Sequence, residues 1–195
     1  MSKPVALFPL SQIVLPQGRT QLRVFEPRYQ RLVREAQQRP FASALLNPYV
    51  NQSHPDRIFP IVTLVQIVDF CQLEDGLLGI TIEGLQRLRV TERWQEQDQL
   101  HVATTEILPE WSTQTLTPEQ RPLVPALQQV YQQNPELSAL YPSPQWHDGR
   151  WLAQRWLEIL TMPPQLKFEL LAAEQPGPAL GTLCQWLSED QPAHN

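Results

Sequence analysis

The apolar periodicity of this sequence changes once, close to Pro109. Before that point, β-branched and other apolar residues alternate in short runs that are typical of strands. After it, apolar residues recur at helical spacing, most clearly at Leu180, Leu183, Cys184 and Leu187. Because strands precede helices rather than alternating with them, the sequence predicts an α+β fold, with a β lobe over residues 1–110 and a helical lobe over residues 111–195.

The strongest strand pattern is a hairpin predicted over residues 61–90. Its first arm is rich in Ile and Val, residues 74–76 (EDG) have the composition of a turn, and a second apolar arm follows. Gly84 interrupts this second arm, which predicts a bulge or bend in a curled sheet. The other predicted strands cover residues 5–8, 13–15, 20–25, 41–46 and 100–108.

One helix is predicted within the β-rich part, directly after residue 25. Glu26 is placed to start it, and Pro27 takes the first helical position, where its missing N–H costs nothing. Pro40 ends the pattern. The apolar stripe of this helix consists of Tyr29, Leu32, Val33 and Ala36.

The second half of the sequence predicts helices separated by proline-rich connections. The helical segments cover residues 118–133, 148–160, 164–174 and 178–188. Two stretches with three prolines each, residues 47–60 and 134–149, predict the longest loops.

The charge is unevenly distributed. The chain carries a formal net charge of −5, but the first 40 residues hold seven basic groups against two acidic ones, or +5. This basic segment leaves RNA binding open as an alternative function. The acidic pI of about 5.4 and the lack of a basic motif interleaved with aromatic residues make nucleic acid an unexpected partner. The basic groups are Lys3, Arg19, Arg23, Arg28, Arg31, Arg34 and Arg39.

The sequence contains none of the catalytic patterns that we sought. Gly79 and Gly84 have the spacing of a phosphate-binding loop, but Leu85 stands where the lysine is needed. There is no G-x-S-x-G motif, and the four histidines and two cysteines show no paired metal-ligand spacing. Adjacent carboxylates at 74–75 and 189–190 fit a turn and a terminal tail. We therefore expect no enzyme activity, cofactor or metal.

Two further expectations concern the cellular setting. No run of about 18 apolar residues occurs and the first residues lack the apolar core of a signal peptide, so we expect a cytoplasmic protein without membrane insertion. Cys71 and Cys184 are too few for a disulfide framework, and their apolar neighbours predict buried free thiols.

Residues 7–33, LFPLSQIVLPQGRTQLRVFEPRYQRLV, resemble the opening of the N-terminal substrate-binding domain of Lon proteases. Residues 61–90 are similar to a second signature of that family, and residues 163–187 more loosely resemble its closing helices. The motif residues, for which the resemblance implies structural roles, are Phe8, Pro9, Leu10, Pro16, Gly18, Phe25, Glu26, Pro27, Arg28, Tyr29, Gly76 and Gly84.

The resemblance implies a curled, PUA-like β lobe, a helical lobe and a non-catalytic role in binding protein. In Lon proteases this domain precedes an ATPase module and a Ser-Lys protease module, and we expect neither in this chain. The implied partners are protein or peptide clients, including a protease or an assembling complex, with the protein acting as an adaptor, a chaperone-like protein or an assembly factor.

Aromatic residues in or near the predicted loops are the candidate client-binding residues. Large aromatic side chains make good interface anchors because they bury much area at a small entropic cost. The alternative is that they cover the junction between the lobes. The candidates are Tyr49, Phe59, Trp94, Trp111, Tyr141 and Trp146, whereas Trp151, Trp156 and Trp186 lie on predicted helices and are expected in the core.

Overall fold

The computed structural model describes residues 4–51 and 54–189, and the chain divides into two compact units, Met1–Pro109 and Glu110–Asn195. The described residues contain a six-stranded sheet and six α-helices, so the predicted α+β class is confirmed. The first unit holds β1 (Val5–Leu10), β2 (Arg19–Val24), α1 (Pro27–Glu35), β3 (Phe41–Leu46), a short 3₁₀ turn (Pro55–Arg57), β4 (Ile58–Gln72), β5 (Leu78–Gln95) and β6 (His101–Ile107).

Five of the six strands form a closed ring of pairings. β1 pairs in parallel with β3 and antiparallel with β6, while β3–β4, β4–β5 and β5–β6 are all antiparallel. β2 stands outside the ring and pairs with the first part of β5, from Leu78 to Glu83. From Leu88 onward β5 pairs with β6 instead.

Gly84 lies where β5 changes partner. Its N–H donates to the carbonyl of Gly18 at 2.8 Å, and its own carbonyl accepts from the N–H of Gln17 at 2.7 Å. A Cβ atom built on Gly84 would lie 2.1 Å from the carbonyl oxygen of Leu15. The register of β4 against β5 shifts at the same place. The predicted bulge is therefore confirmed, and its cause is the close passage of the chain before β2.

The side chains on the two faces of the sheet belong to two separate apolar clusters. Along β1, Val5 and Leu7 belong to one cluster, whereas Ala6 and Phe8 belong to the other. This alternation is what a strand that is buried on both faces produces. Helix α1 covers the second cluster with Tyr29, whose ring stacks on Phe8 with centroids 4.4 Å apart. As predicted, α1 begins at Pro27.

Ion pairs tie α1 to the turn between β5 and β6. Arg31 Nε donates to Asp98 at 2.9 Å and Arg31 Nη2 also bonds to Glu96, which accepts from Arg39 Nη2 at 2.7 Å. Arg28 Nη1 donates to the carbonyl of Gln99 at 3.2 Å. These contacts hold α1 against the turn between β5 and β6, which lies about 60 residues later in the sequence.

We predict that Glu96 stabilises the first unit in a pH-dependent way. Hydrogen bonds from Arg39 and Arg31 hold the pKa of Glu96 below its usual range. A lowered pKa adds stability above the unfolded-state value of about 4.3, and this stability is lost as the pH falls through the folded-state pKa. Glu96→Gln should therefore lower the free energy of unfolding by about 0.5–1 kcal/mol at pH 7. In urea titrations the difference should shrink as the pH falls below the unfolded-state value and on through the folded-state pKa, and a difference that does not change with pH would contradict the prediction.

The second unit consists of helices α2 (Leu123–Gln133), α3 (Pro135–Ala139), α4 (Gly149–Ile159), α5 (Pro164–Ala172) and α6 (Gly177–Glu189). Asp148 caps α4 by accepting a hydrogen bond from the N–H of Arg150 at 2.9 Å. Gly149 then begins the helix where a Cβ would lie 2.9 Å from the carbonyl oxygen of Gln114.

Several predicted boundaries are corrected. Residues 13–15 are buried but irregular, since the chain makes only an isolated bridge between Pro16 and Gly84 there. Helix α2 begins at Leu123 rather than at 118, because Pro122 lacks the N–H that an earlier start would require. The predicted loop 134–149 contains α3, and the predicted loop 47–60 contains the 3₁₀ turn and the start of β4.

Cys71 and Cys184 are free thiols, as predicted, but both are half-buried rather than buried. Cys71 lies beyond the ring of strands, and Cys184 lies on α6 with its Sγ 3.6 Å from the carbonyl oxygen of Glu119. Lys3, the second carboxylate of the pair at 189–190 (Asp190) and one of the four histidines (His194) lie outside the described residues.

Candidate functional site

The arms of the β4–β5 hairpin extend beyond the ring of strands. β4 pairs with β3 only over residues 58–65, and β5 reaches β6 only from Leu88. With 15 and 18 residues, the arms are each about 50–60 Å long at about 3.3 Å per residue, which exceeds the part that the ring uses. Among the residues that the structure describes, residues 66–83, which we call the distal hairpin, pair only with one another and with β2.

A tight turn closes the distal hairpin. The N–H of Leu73 donates to the carbonyl of Leu77 at 2.9 Å, and the N–H of Gly76 donates to the carbonyl of Leu73 at 2.8 Å. Gly76 has a φ of +80°, a conformation that glycine adopts without strain. The turn residues predicted from sequence therefore hold the two arms in register up to their ends.

Exposed apolar side chains lie at this end of the sheet. Phe70 is 59% exposed and Leu78 is 36% exposed. They lie on one face, because Phe70 pairs with Ile80 and Gln72 pairs with Leu78 across the hairpin. Phe25, also 59% exposed, directly follows Val24, which pairs with Leu78. We call Phe25, Phe70 and Leu78 the apolar tip.

Phe70 and Leu78, two of the three residues of the apolar tip, continue a face of the sheet that is buried elsewhere. Leu22, Val24, Ile80 and Ile82 lie on the same part of the sheet and are all buried in the cluster under α1. Phe70 and Leu78 stand where that face passes beyond the helix. Full burial of such a side chain contributes about 1.5–3 kcal/mol, and a partner that covers the exposed parts of Phe70 and Leu78 would gain a share of it.

A shallow groove of about 400 Å³ runs along the tip. Such an open groove differs from the enclosed cavities that bury most of a small ligand, and it fits a segment of polypeptide better. Its lining residues are Phe70, Cys71, Gln72, Gly76, Leu77 and Leu78.

Only some of the aromatic residues predicted as binding residues are exposed. Tyr49 is 69% exposed and Trp94 is 38% exposed, whereas Trp146 is half-buried. Phe59 lies in β4 rather than in the predicted loop. Three of the six candidates are buried: Phe59, Trp111 and Tyr141 are 6%, 1% and 8% exposed.

The buried aromatic residues of the second unit build its core. Trp111 Nε1 donates to the carbonyl of Ala173 at 2.7 Å, which satisfies the one polar atom of a buried indole. Substituting Trp111 would therefore damage the fold, so its loss cannot report on binding.

Tyr141 and Trp146 belong to an aromatic cluster around a buried guanidinium. Arg155 is fully buried, and its Cζ lies 5.4 Å from the ring centroid of Tyr141 and 5.5 Å from that of Trp151. Arg155 also forms an ion pair with Glu158, with Nε 2.7 Å from Oε2, and its Nη2 donates a hydrogen bond to Glu158 Oε1 at 3.0 Å. Trp146 contacts Trp151 edge-on at 5.3 Å and Tyr131 at 5.6 Å. The aromatic richness of residues 131–151 thus serves packing.

Trp94 lines a separate open depression of about 620 Å³ at the turn between β5 and β6. The charged residues there, Arg31, Glu96 and Asp98, already bind one another and hold α1. We therefore do not place the candidate site at Trp94.

Sequence reasoning missed the apolar tip. Phe25 was predicted to be structural. Its position in the alternation of β2 did indicate exposure, because Phe25 is out of phase with the buried Leu22 and Val24. Phe70 and Leu78 gave no such signal, since they end long apolar runs whose exposure depends on where β3 and β6 stop. Among the described residues no cluster of three or more His, Cys, Asp or Glu side chains suits a metal ion, and no helix has the length and apolarity to cross a bilayer.

Comparison with known proteins identifies the family. The sequence model of the ATP-dependent protease La (LON) substrate-binding domain matches residues 4–189. A crystal structure of a Lon N-terminal domain protein from Xanthomonas campestris is 26% identical, with a TM-score of 0.72 over 95% of this chain and 99% of that chain. The search of curated proteins gives no match.

A second solved structure shows that the fold is shared at lower identity. The N-terminal domain of the Lon protease from the Mycobacterium avium complex is 16% identical, with a TM-score of 0.64 over 97% of this chain and all of that chain. The resemblance found in residues 7–33 and 61–90 is therefore confirmed, and this chain belongs to the family of Lon substrate-binding domains.

Proposed function

We propose that this protein binds exposed apolar segments of protein clients at the apolar tip and performs no chemistry on them. The observation that carries the proposal is the exposure of Phe70 and Leu78 on one face of a hairpin that projects beyond the ring of strands. The family name, substrate-binding domain, supports a protein ligand. In this role the protein serves as an adaptor, a chaperone-like protein or an assembly factor, with a protease or an assembling complex among its partners.

The contacts of the basic N-terminal segment favour protein over RNA as the ligand. Most arginines of the first 40 residues form ion pairs, so this segment has little uncompensated charge with which to bind phosphates. The pairs are Arg19–Glu83, Arg23–Asp75, Arg28–Glu26, Arg31–Glu96 and Arg39–Glu96.

The proposal predicts that the double variant Phe70→Ser/Leu78→Ser loses client binding while it stays folded. Both side chains are exposed, so their removal should cost little stability. Losing their burial against a client should weaken binding by about tenfold or more. Fluorescence anisotropy of a labelled, permanently unfolded protein, titrated with each variant, measures this effect.

Ile107→Ser is the matched control, because Ile107 is 75% exposed on β6 and pairs with Leu88 inside the ring. Its affinity should equal that of the wild type. Unchanged binding by the double variant, or an equal loss in Ile107→Ser, would show that the tip is not the site. Thermal unfolding of all three proteins tells a binding effect from a folding effect.

A further inference from the structure

Carboxylates surround the apolar tip, and two of them lack a cationic partner. Arg23 pairs with Asp75 and Arg28 pairs with Glu26, so these four charges cancel. Asp69 and Glu74 are exposed, and neither forms an ion pair within the part of the chain that the structure describes. The surroundings of the tip therefore carry two net negative charges.

These two carboxylates lie at opposite ends of the groove along the hairpin axis, Asp69 on the arm and Glu74 in the closing turn. Asp69 precedes Phe70 and is held there, because its Oδ1 accepts the N–H of Phe70 at 2.8 Å. Glu74 lies in the closing turn, two residues before Gly76, which lines the groove. An occupant of the groove would thus have one carboxylate near each end.

The edge of β4 beside Phe70 is open to an approaching chain. Residues 66–72 pair with β5 on one side and with no second strand among the described residues. An extended segment can lie along such an edge. On this path it would lie beside both Asp69 and Phe70.

We infer that the tip selects extended apolar segments whose flanking residues are positively charged. This inference rests on the proposed function and adds the class of client to it. The apolar side chains supply the binding area, and lysine or arginine at the flanks complements Asp69 and Glu74. Acidic flanks bring like charges together and are disfavoured.

Two labelled peptides test the inference. They share one apolar core of eight residues and carry two lysines or two glutamates at each end. The lysine peptide should bind about tenfold more tightly at low salt, because each exposed charge pair contributes a few-fold in affinity. At 0.5 M salt the ratio should fall to about threefold or less, since the Debye length shrinks to about 4 Å.

Charge-neutral variants assign the effect to the two carboxylates. Asp69→Asn/Glu74→Gln keeps the shapes and should lower the preference for the lysine peptide to about threefold or less. The matched control is Glu92→Gln/Glu106→Gln, which removes the same charge from exposed positions on β5 and β6. This variant should keep the full preference for the lysine peptide.

The outcomes separate the two proposals. Equal affinity for both peptides, or an unchanged preference in Asp69→Asn/Glu74→Gln, overturns the charge selectivity and leaves the proposed function standing. Failure of both peptides to bind, or binding that Phe70→Ser/Leu78→Ser does not weaken, overturns the proposed function and the selectivity with it. A tenfold preference that only the Asp69 and Glu74 variant loses supports both.

Discussion

Replacing Gly84 with alanine is expected to lower the free energy of unfolding of the first unit by about 3 kcal/mol or more. The added Cβ would lie 2.1 Å from the carbonyl oxygen and 2.7 Å from the carbonyl carbon of Leu15. Both obstacles are backbone atoms, so no side-chain rotation relieves them. Separating the two segments would also strain the hydrogen bonds that join Gly84 to Gln17 and Gly18.

Chemical denaturation followed by far-ultraviolet circular dichroism measures this loss. Gly181→Ala is the matched control, because no atom lies within 4 Å of a Cβ at that position on α6. Alanine should leave its stability unchanged or raise it by up to about 1 kcal/mol, since glycine is a poor helix former. Similar stability of the two variants would mean that the chain near Leu15 can move away at little cost.

Replacing Arg155 with methionine is expected to destabilise the second unit by about 3–5 kcal/mol. The guanidinium is fully buried, packs against Tyr141 and Trp151, and bonds to Glu158. Methionine fills part of the space but leaves the Glu158 carboxylate, whose side chain is only 11% exposed, without its ion-pair partner. Arg155→Lys should also lose stability, because an ammonium lacks the planar surface that stacks on the rings.

Tryptophan fluorescence during urea titration reports on this change, since five of the six tryptophans lie in the second unit. Arg121→Met removes the same charge from an exposed position of that unit and should stay within about 0.5 kcal/mol of the wild type. Equal stabilities of the Arg155 and Arg121 variants would disprove a central role for the buried pair. The double variant Arg155→Met/Glu158→Leu should recover part of the loss, because it leaves no unpaired buried charge.

Local patterns in the sequence were sufficient for most elements of the first unit, though not for residues 13–15, and for the family. Pro27 sets the start of α1, the turn at 74–76 closes the long hairpin, and Gly84 marks the bulge. Each of these features depends on backbone preferences of a few adjacent residues. The motif residues therefore predicted the fold class without information about packing.

The candidate site depended on information of another kind. Trp111 and Tyr141 stand in connections where exposure was expected, yet hydrogen bonds and ring contacts place them in the core of the second unit. Phe70 and Leu78 stand in the apolar runs of two predicted strands, and the structure leaves them exposed.

The sequence alone therefore determined the α+β class, the hairpin, the early helix and the family, because periodicity and turn chemistry are local properties. The tertiary structure alone decided which large apolar residues are exposed to solvent. The reason is that exposure depends on where the partners of a strand end: β3 and β6 stop short of the distal hairpin, and the apolar face of β4 and β5 continues past them.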